Sequence, residues 1–134
     1  MPFDLTTRYA ADSVEVPIMD PADLSAKIDT GARIVIRSLY SKEARAAAVG
    51  ARARLKLVDG KVDATDADFE ANLFEQTIAV TVGWSGIEEH GVALLFSPEV
   101  CRRIYEDPRT QWVQKQVQAA YLDIGRFFPT SKAS

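Results

Sequence analysis

Thr77-Ile78-Ala79-Val80-Thr81-Val82, running directly into Gly83-Trp84-Ser85-Gly86, is the stretch on which the fold turns. All of the first six residues except Ala79 are β-branched. Taken alone they read as a strand, because branched side chains fit a pleated surface. Upstream, however, Phe69, Leu73 and Val80 share one helical stripe, with Phe74, Ile78 and Val82 beside it. No turn signal separates the two patterns, so the reading is one helix from about Asp66 through Val82, with a wide apolar face against a core. Thr65 to Asp68 has capping-box spacing at its start, with Asp in place of Glu at the far end. Gly83, Gly86 and Gly91 then break the regular pattern. Residues 84–95 read as a loop, with a short extended piece near residues 92–96.

Downstream, Ser97-Pro98-Glu99 is a helix start. The serine hydroxyl can cap, proline is preorganised for the first turn, and the glutamate suits the positive end of the helix. This helix should end at Asp107, because a residue before proline disfavours the helical region. Asp107-Pro108 opens a last helix that carries Trp112, Val113, Val117, Tyr121, Ile124 and Phe128 at spacings of three or four. Pro129 stops it, and residues 130–134 read as a polar tail.

Upstream of the deciding stretch, residues 1–12 are mixed polar and loose, with a weak helical turn at Arg8-Tyr9-Ala10-Ala11. Val14, Val16 and Ile18 alternate with Glu15 and Pro17, the period of a strand. Pro17 cannot donate to a ladder, which places that strand at a sheet edge. Residues 32–39 form the clearest strand, with Ile34 and Ile36 on one face and Arg33, Val35 and Arg37 on the other. The two strands pair antiparallel, either directly or with residues 24–29 between them. Ser41 is an N-cap candidate for a basic, Ala-rich helix over residues 42–57, and Asp59-Gly60 is a turn signal. The expected fold class is α+β in one domain. Residues 1–12 are loose, 13–40 hold a small antiparallel sheet, 41–128 are mainly helical, and 129–134 form a tail.

Composition narrows the function. The chain has 134 residues, 47% apolar and 26% charged, which suits a globular domain with a core of its own. A formal net charge of −3 gives no electrostatic case for nucleic-acid binding. Cys101 is the only cysteine, so a disulfide scaffold is excluded and a reducing compartment fits. Met1-Pro2-Phe3-Asp4 lacks the basic and apolar regions of a signal peptide, and no apolar run is long enough to span a bilayer. An intracellular, soluble protein is expected.

The side chains offer no catalytic constellation. His90, beside Glu88 and Glu89, is the only histidine, and a metal site needs more ligands than this cluster holds. Cys101 falls on the apolar side of a short helix and reads as a core residue. Phosphate-loop, dinucleotide and serine-elbow patterns are missing. The chain is expected to be no enzyme and to need no metal or cofactor. The aromatic residues remain. Trp84 and Trp112 read first as helix-packing residues and second as partner anchors, since tryptophan is enriched at interface hot spots. Phe127 and Phe128 cannot share one helical stripe. The candidate partner-binding residues are Trp84, Phe96, Trp112, Tyr121, Phe127 and Phe128.

The order of these landmarks resembles that of the tail assembly chaperones of long-tailed bacteriophages and prophages. In that family a helix leads into a Trp-x-Gly loop, a further glycine and a Phe-Ser-Pro-Glu helix start. A Trp-bearing helix with a Gln-Val face follows, ending in Asp and Phe. Here the matching positions are Trp84, Gly86, Gly91, Phe96, Ser97, Pro98, Glu99, Trp112, Gln116, Val117, Asp123 and Phe127. The Val-rich first strand, the Met19-Asp20-Pro21 turn and the basic helix after Ser41 extend the likeness over residues 14–128. Glu88-Glu89-His90 is the departure, between Gly86 and Gly91. The resemblance implies a holdase, without catalysis, in the cytoplasm of the bacterial host. Its partners would be the tape-measure protein and the tail-tube protein, with a homo-oligomer open. Many members of the family also have a longer, frameshifted form. The rival readings are a structural virion protein, such as a minor tail or connector component, and a small enzyme using His90 or Cys101.

Overall fold

The alternation seen in the sequence builds the sheet. In the computed structural model, which describes residues 2–53, 56–58, 61–63 and 66–128, strand β1 (Ser13–Met19) pairs antiparallel with β2 (Asp29–Arg37). Val14 lies opposite Ile36 and Val16 opposite Ile34. Val16, Ile18, Ala32, Ile34 and Ile36 point into the core, and Ile34 and Ile36 are 0% exposed. Glu15, Pro17, Arg33, Val35 and Arg37 take the outward positions, as period-two patterning requires. β1 is an edge strand, where the missing N–H of Pro17 does least harm. Residues 24–29 do not form a strand between the two. They contain a 3-10 turn (Leu24–Ala26), and the Thr30 hydroxyl closes the connection by donating to the Ile18 carbonyl at 2.6 Å.

The deciding stretch divides, against the single helix expected. Helix α2 (Asp66–Val80) ends at Val80, and strand β5 (Thr81–Ser85) begins at the next residue. β5 pairs antiparallel with the free side of β2, Ile36 opposite Thr81 and Ile34 opposite Trp84, so the sheet order is β1-β2-β5. The physical reason is in the threonines. Thr77 Oγ1 donates to the Leu73 carbonyl and Thr81 Oγ1 to the Thr77 carbonyl, each at 2.8 Å. These hydroxyls bond back to carbonyls one turn earlier, a competition with the helix ladder that weakens and bends the closing turns. The β-branched residues that follow gain a ladder on β2, which no local pattern could report.

Helix α1 (Lys42–Ala53) starts at the predicted cap, with Ser41 Oγ accepting from the Ala44 amide at 3.1 Å. It is shorter than expected. Lys56–Val58 (β3) pairs antiparallel with Lys61–Asp63 (β4), Leu57 opposite Val62. The competing signal is Asp59-Gly60 between apolar-polar alternations, a hairpin pattern that outweighs helix propensity. Asp59-Gly60, Thr65, and Pro129 with the rest of the tail lie outside the described residues. The loose segment 1–12 holds a 3-10 turn (Leu5–Arg8) capped by Asp4, in place of a turn at residues 8–11.

Helix α3 (Pro98–Glu106) opens as predicted, Ser97 accepting from the Val100 amide, and Asp107 leaves it in extended conformation. Helix α4 (Gln111–Leu122) starts after a turn and stops six residues before Phe128; a 3-10 turn (Ile124–Phe127) follows. Helices α2, α3 and α4 share one core with the inward face of the sheet, built around Ile34, Ile36, Val80, Tyr105, Val117, Tyr121 and Phe127. Among the described residues no helix is long and apolar enough to cross a membrane.

One side chain ties α4 to the sheet edge. Gln116 accepts from the Met19 amide at 2.9 Å and donates to the Met19 carbonyl at 3.0 Å, pairing with β1 as a neighbouring strand would. Gln116→Ala removes both bonds at a partly buried site. We expect a loss of about 1–2 kcal/mol, read as a lower urea midpoint with an unchanged slope.

Candidate functional site

Where β1 ends and β2 begins, the inward face of the sheet opens into a cleft of about 320 Å³. Ile18, Ala32, Ile34 and Trp84 form its sheet wall. Ile104, Trp112 and Val113 form the helical wall, and Ile87 and Leu94 close one side. Thr30, Thr110, Glu88 and Glu89 supply the polar lining. The chain has two tryptophans, and both line this one cleft.

Residues 84–95, expected as a loop, are mostly ordered into strand and hairpin. Trp84 sits in β5, and β6 (Glu88–Glu89) pairs with β7 (Val92–Ala93). His90 and Gly91 connect the pair with φ of 52° and 78°, the double positive φ of a two-residue hairpin turn. His90 is thus a turn residue. Among the described residues no group of three or more His, Cys, Asp or Glu is placed to hold a metal ion. The hairpin is fastened to the sheet by Trp84, whose indole Nε1 donates to the Leu94 carbonyl at 2.8 Å. Phe96 meets the indole edge to face, with ring centroids 5.0 Å apart. Gly86 lets the chain leave β5 close beside the start of β2. Its φ is +73°, and a Cβ there would stand 2.8 Å from the Gly31 carbonyl oxygen.

The helical wall is set by the turn between α3 and α4. Thr110 Oγ1 donates to the Ile104 carbonyl at 2.6 Å, and the half-buried Trp112 follows in the first turn of α4. On the rim, Arg103 donates two hydrogen bonds to Glu89, both 3.1 Å, and these hold the Glu89 carboxyl below the usual carboxylate range. Glu88 has no ion pair among the described residues. The cleft is therefore apolar inside with one uncompensated negative charge at its mouth. Such a surface suits the large apolar side chains of a partner.

The six predicted residues divide. Trp84 and Trp112 line the cleft, and Phe96 backs Trp84. Tyr121, from the predicted helical stripe, and Phe127, from the Phe127-Phe128 pair, are core residues, 1% and 0% exposed, and so have no surface for a partner. Phe128 packs edge-on against Tyr40, centroids 5.7 Å apart, away from the cleft. Ile87 and Leu94 were missed as cleft residues. Their signal was their near-symmetric placement about His90-Gly91, which marks a hairpin.

Cys101 lies buried beside Tyr105, whose hydroxyl shares a 2.9 Å hydrogen bond with Thr81 Oγ1. Burial pushes the Cys101 thiol from 9.0 up to about 11, and burial also raises Tyr105. The thiol is protonated at neutral pH, a poor nucleophile. In the unfolded chain it ionises first, so its contribution is whole below pH 9 and is lost as pH rises toward 11. On the order of 2 kcal/mol should disappear from this group. Urea midpoints falling above pH 9, and falling less steeply in Cys101→Ala, would bear this out.

Comparison with protein-family models, with curated proteins and with solved structures finds no match.

Proposed function

We propose that this chain is a tail assembly chaperone of a long-tailed bacteriophage or prophage, acting in the cytoplasm of the bacterial host. It holds an apolar stripe of the tape-measure protein in the Trp84–Trp112 cleft until the tail tube forms around that rod; tail-tube protein is a second partner. The observation that carries the reading is that Trp84 and Trp112, two landmarks of the family-like order, line one open apolar cleft. A long amphipathic rod exposes apolar stripes that aggregate unless covered. A groove that accepts the apolar face of a helix covers them by a known recognition mode. Nothing in this task requires catalysis or a cofactor, because tube growth itself can displace the chaperone.

The test is mass spectrometry of purified particles against the lysate that produced them. Abundance in the lysate with absence from particles is the expected result. Several copies per finished particle would replace this reading with a structural virion component.

A further inference from the structure

Ahead of β1, residues 2–10 carry three large apolar side chains with no cover: Phe3, Leu5 and Tyr9 are 66%, 72% and 68% exposed. The segment is shaped all the same. Asp4 Oδ1 accepts from the Thr6 amide at 3.0 Å and from the Thr6 hydroxyl at 2.7 Å, while Thr7 Oγ1 donates to the Asp4 carbonyl at 2.8 Å. A preorganised turn with three exposed apolar side chains has the character of a docking element.

We propose that this arm docks in the Trp84–Trp112 cleft of a second copy of the chain, head to tail. Geometry selects the second copy. The root of the arm is fixed at the far end of the sheet, where the Ala11 amide donates to the Phe127 carbonyl and the Ser38 amide to the Asp12 carbonyl. β1 then runs from Ser13 to Ile18 before reaching the cleft, roughly 17 Å at strand rise. The root of the arm and the cleft thus occupy opposite ends of β1. An element at one end that fits a receptor at the other makes a heterologous contact, which closes a ring or extends a filament.

Charge agrees with shape. Arg8 donates only to the neighbouring Thr7 carbonyl, at 2.8 Å, and has no ion pair among the described residues. Glu88, at the mouth of the cleft, likewise has none. Docking brings the one toward the other. The inference does not depend on the tail reading. If both hold, the arm shields the cleft until the tape-measure protein displaces it.

Sedimentation velocity on the full chain, from about 1 µM to about 500 µM, tests the proposal. Concentration-dependent, reversible association is expected. Phe3→Ser with Leu5→Ser should weaken it at least tenfold without changing the melting temperature, since both residues are exposed. Arg8→Glu and Glu88→Arg should each weaken it several-fold, and the two reversals together should restore it. A chain that is monomeric throughout overturns the proposal. So does association that ignores the arm substitutions, or paired reversals that fail to restore it.

Discussion

Gly86→Ala is expected to cost about 3 kcal/mol of stability and to close part of the cleft. Two effects add. A non-glycine residue at φ +73° costs on the order of 1 kcal/mol or more. A Cβ at 2.8 Å from the Gly31 carbonyl oxygen meets backbone, not a flexible side-chain end, so a strand must shift. Two other glycines separate these contributions. Gly91 has φ +78° with nothing within 4 Å of a Cβ, so Gly91→Ala should show the strain alone, about 1 kcal/mol. Gly83 has neither the positive φ nor a close neighbour, so Gly83→Ala should change stability least. Urea midpoints of the three variants give the order. Equal losses would mean that the approach of β5 to Gly31 is not a constraint.

Trp84→Ala carries the second large effect, about 3 kcal/mol. The substitution removes the indole wall of the cleft, the edge-to-face contact with Phe96 and the bond to the Leu94 carbonyl. Trp84→Phe keeps most of the packing and loses the bond, so about 1 kcal/mol is expected. Trp112→Ala should behave differently. It lines the opposite wall, and under the proposed function its loss should lower affinity for the tape-measure protein at least tenfold, as truncation of an interface anchor does. Its melting temperature should fall less than that of Trp84→Ala. The comparison of melting curves with binding curves separates the residue that holds the hairpin from the residue proposed to meet the partner.

Much of the architecture could be read from local pattern. The alternation in β1 and β2, the edge position of Pro17, the cap at Ser41 and the Ser97-Pro98 start of α3 are local signals, and each stands where it was expected. The strand β5 was hidden because its stabilising partner, β2, lies far away in the chain. The local pattern favoured helix through Val82; residues 77–80 are helical, and the ladder to Ile34 and Ile36 draws the chain into the sheet from Thr81. The hairpin at His90-Gly91 was hidden by a weaker substitute, since histidine stands where asparagine or aspartate usually announces such a turn.

For the site, the two tryptophans could be found by type alone, but their meeting could not. Trp84 reaches the cleft from a strand and Trp112 from the first turn of α4, so only the packed fold brings them together. Tyr121 and Phe127 illustrate the opposite difficulty. A helical stripe and an aromatic pair look the same in sequence whether they face a core or a partner.

Because the chain's two tryptophans both line the cleft, intrinsic fluorescence reports its occupancy without a label. The decisive measurement is a fluorescence titration of the full chain with a tryptophan-free helical segment of the tape-measure protein proposed as its partner. A saturable shift of the emission to shorter wavelength, abolished when Trp112 is replaced by alanine, is the predicted result. Emission that stays unchanged with the segment in large excess would contradict the assignment of the cleft to that partner.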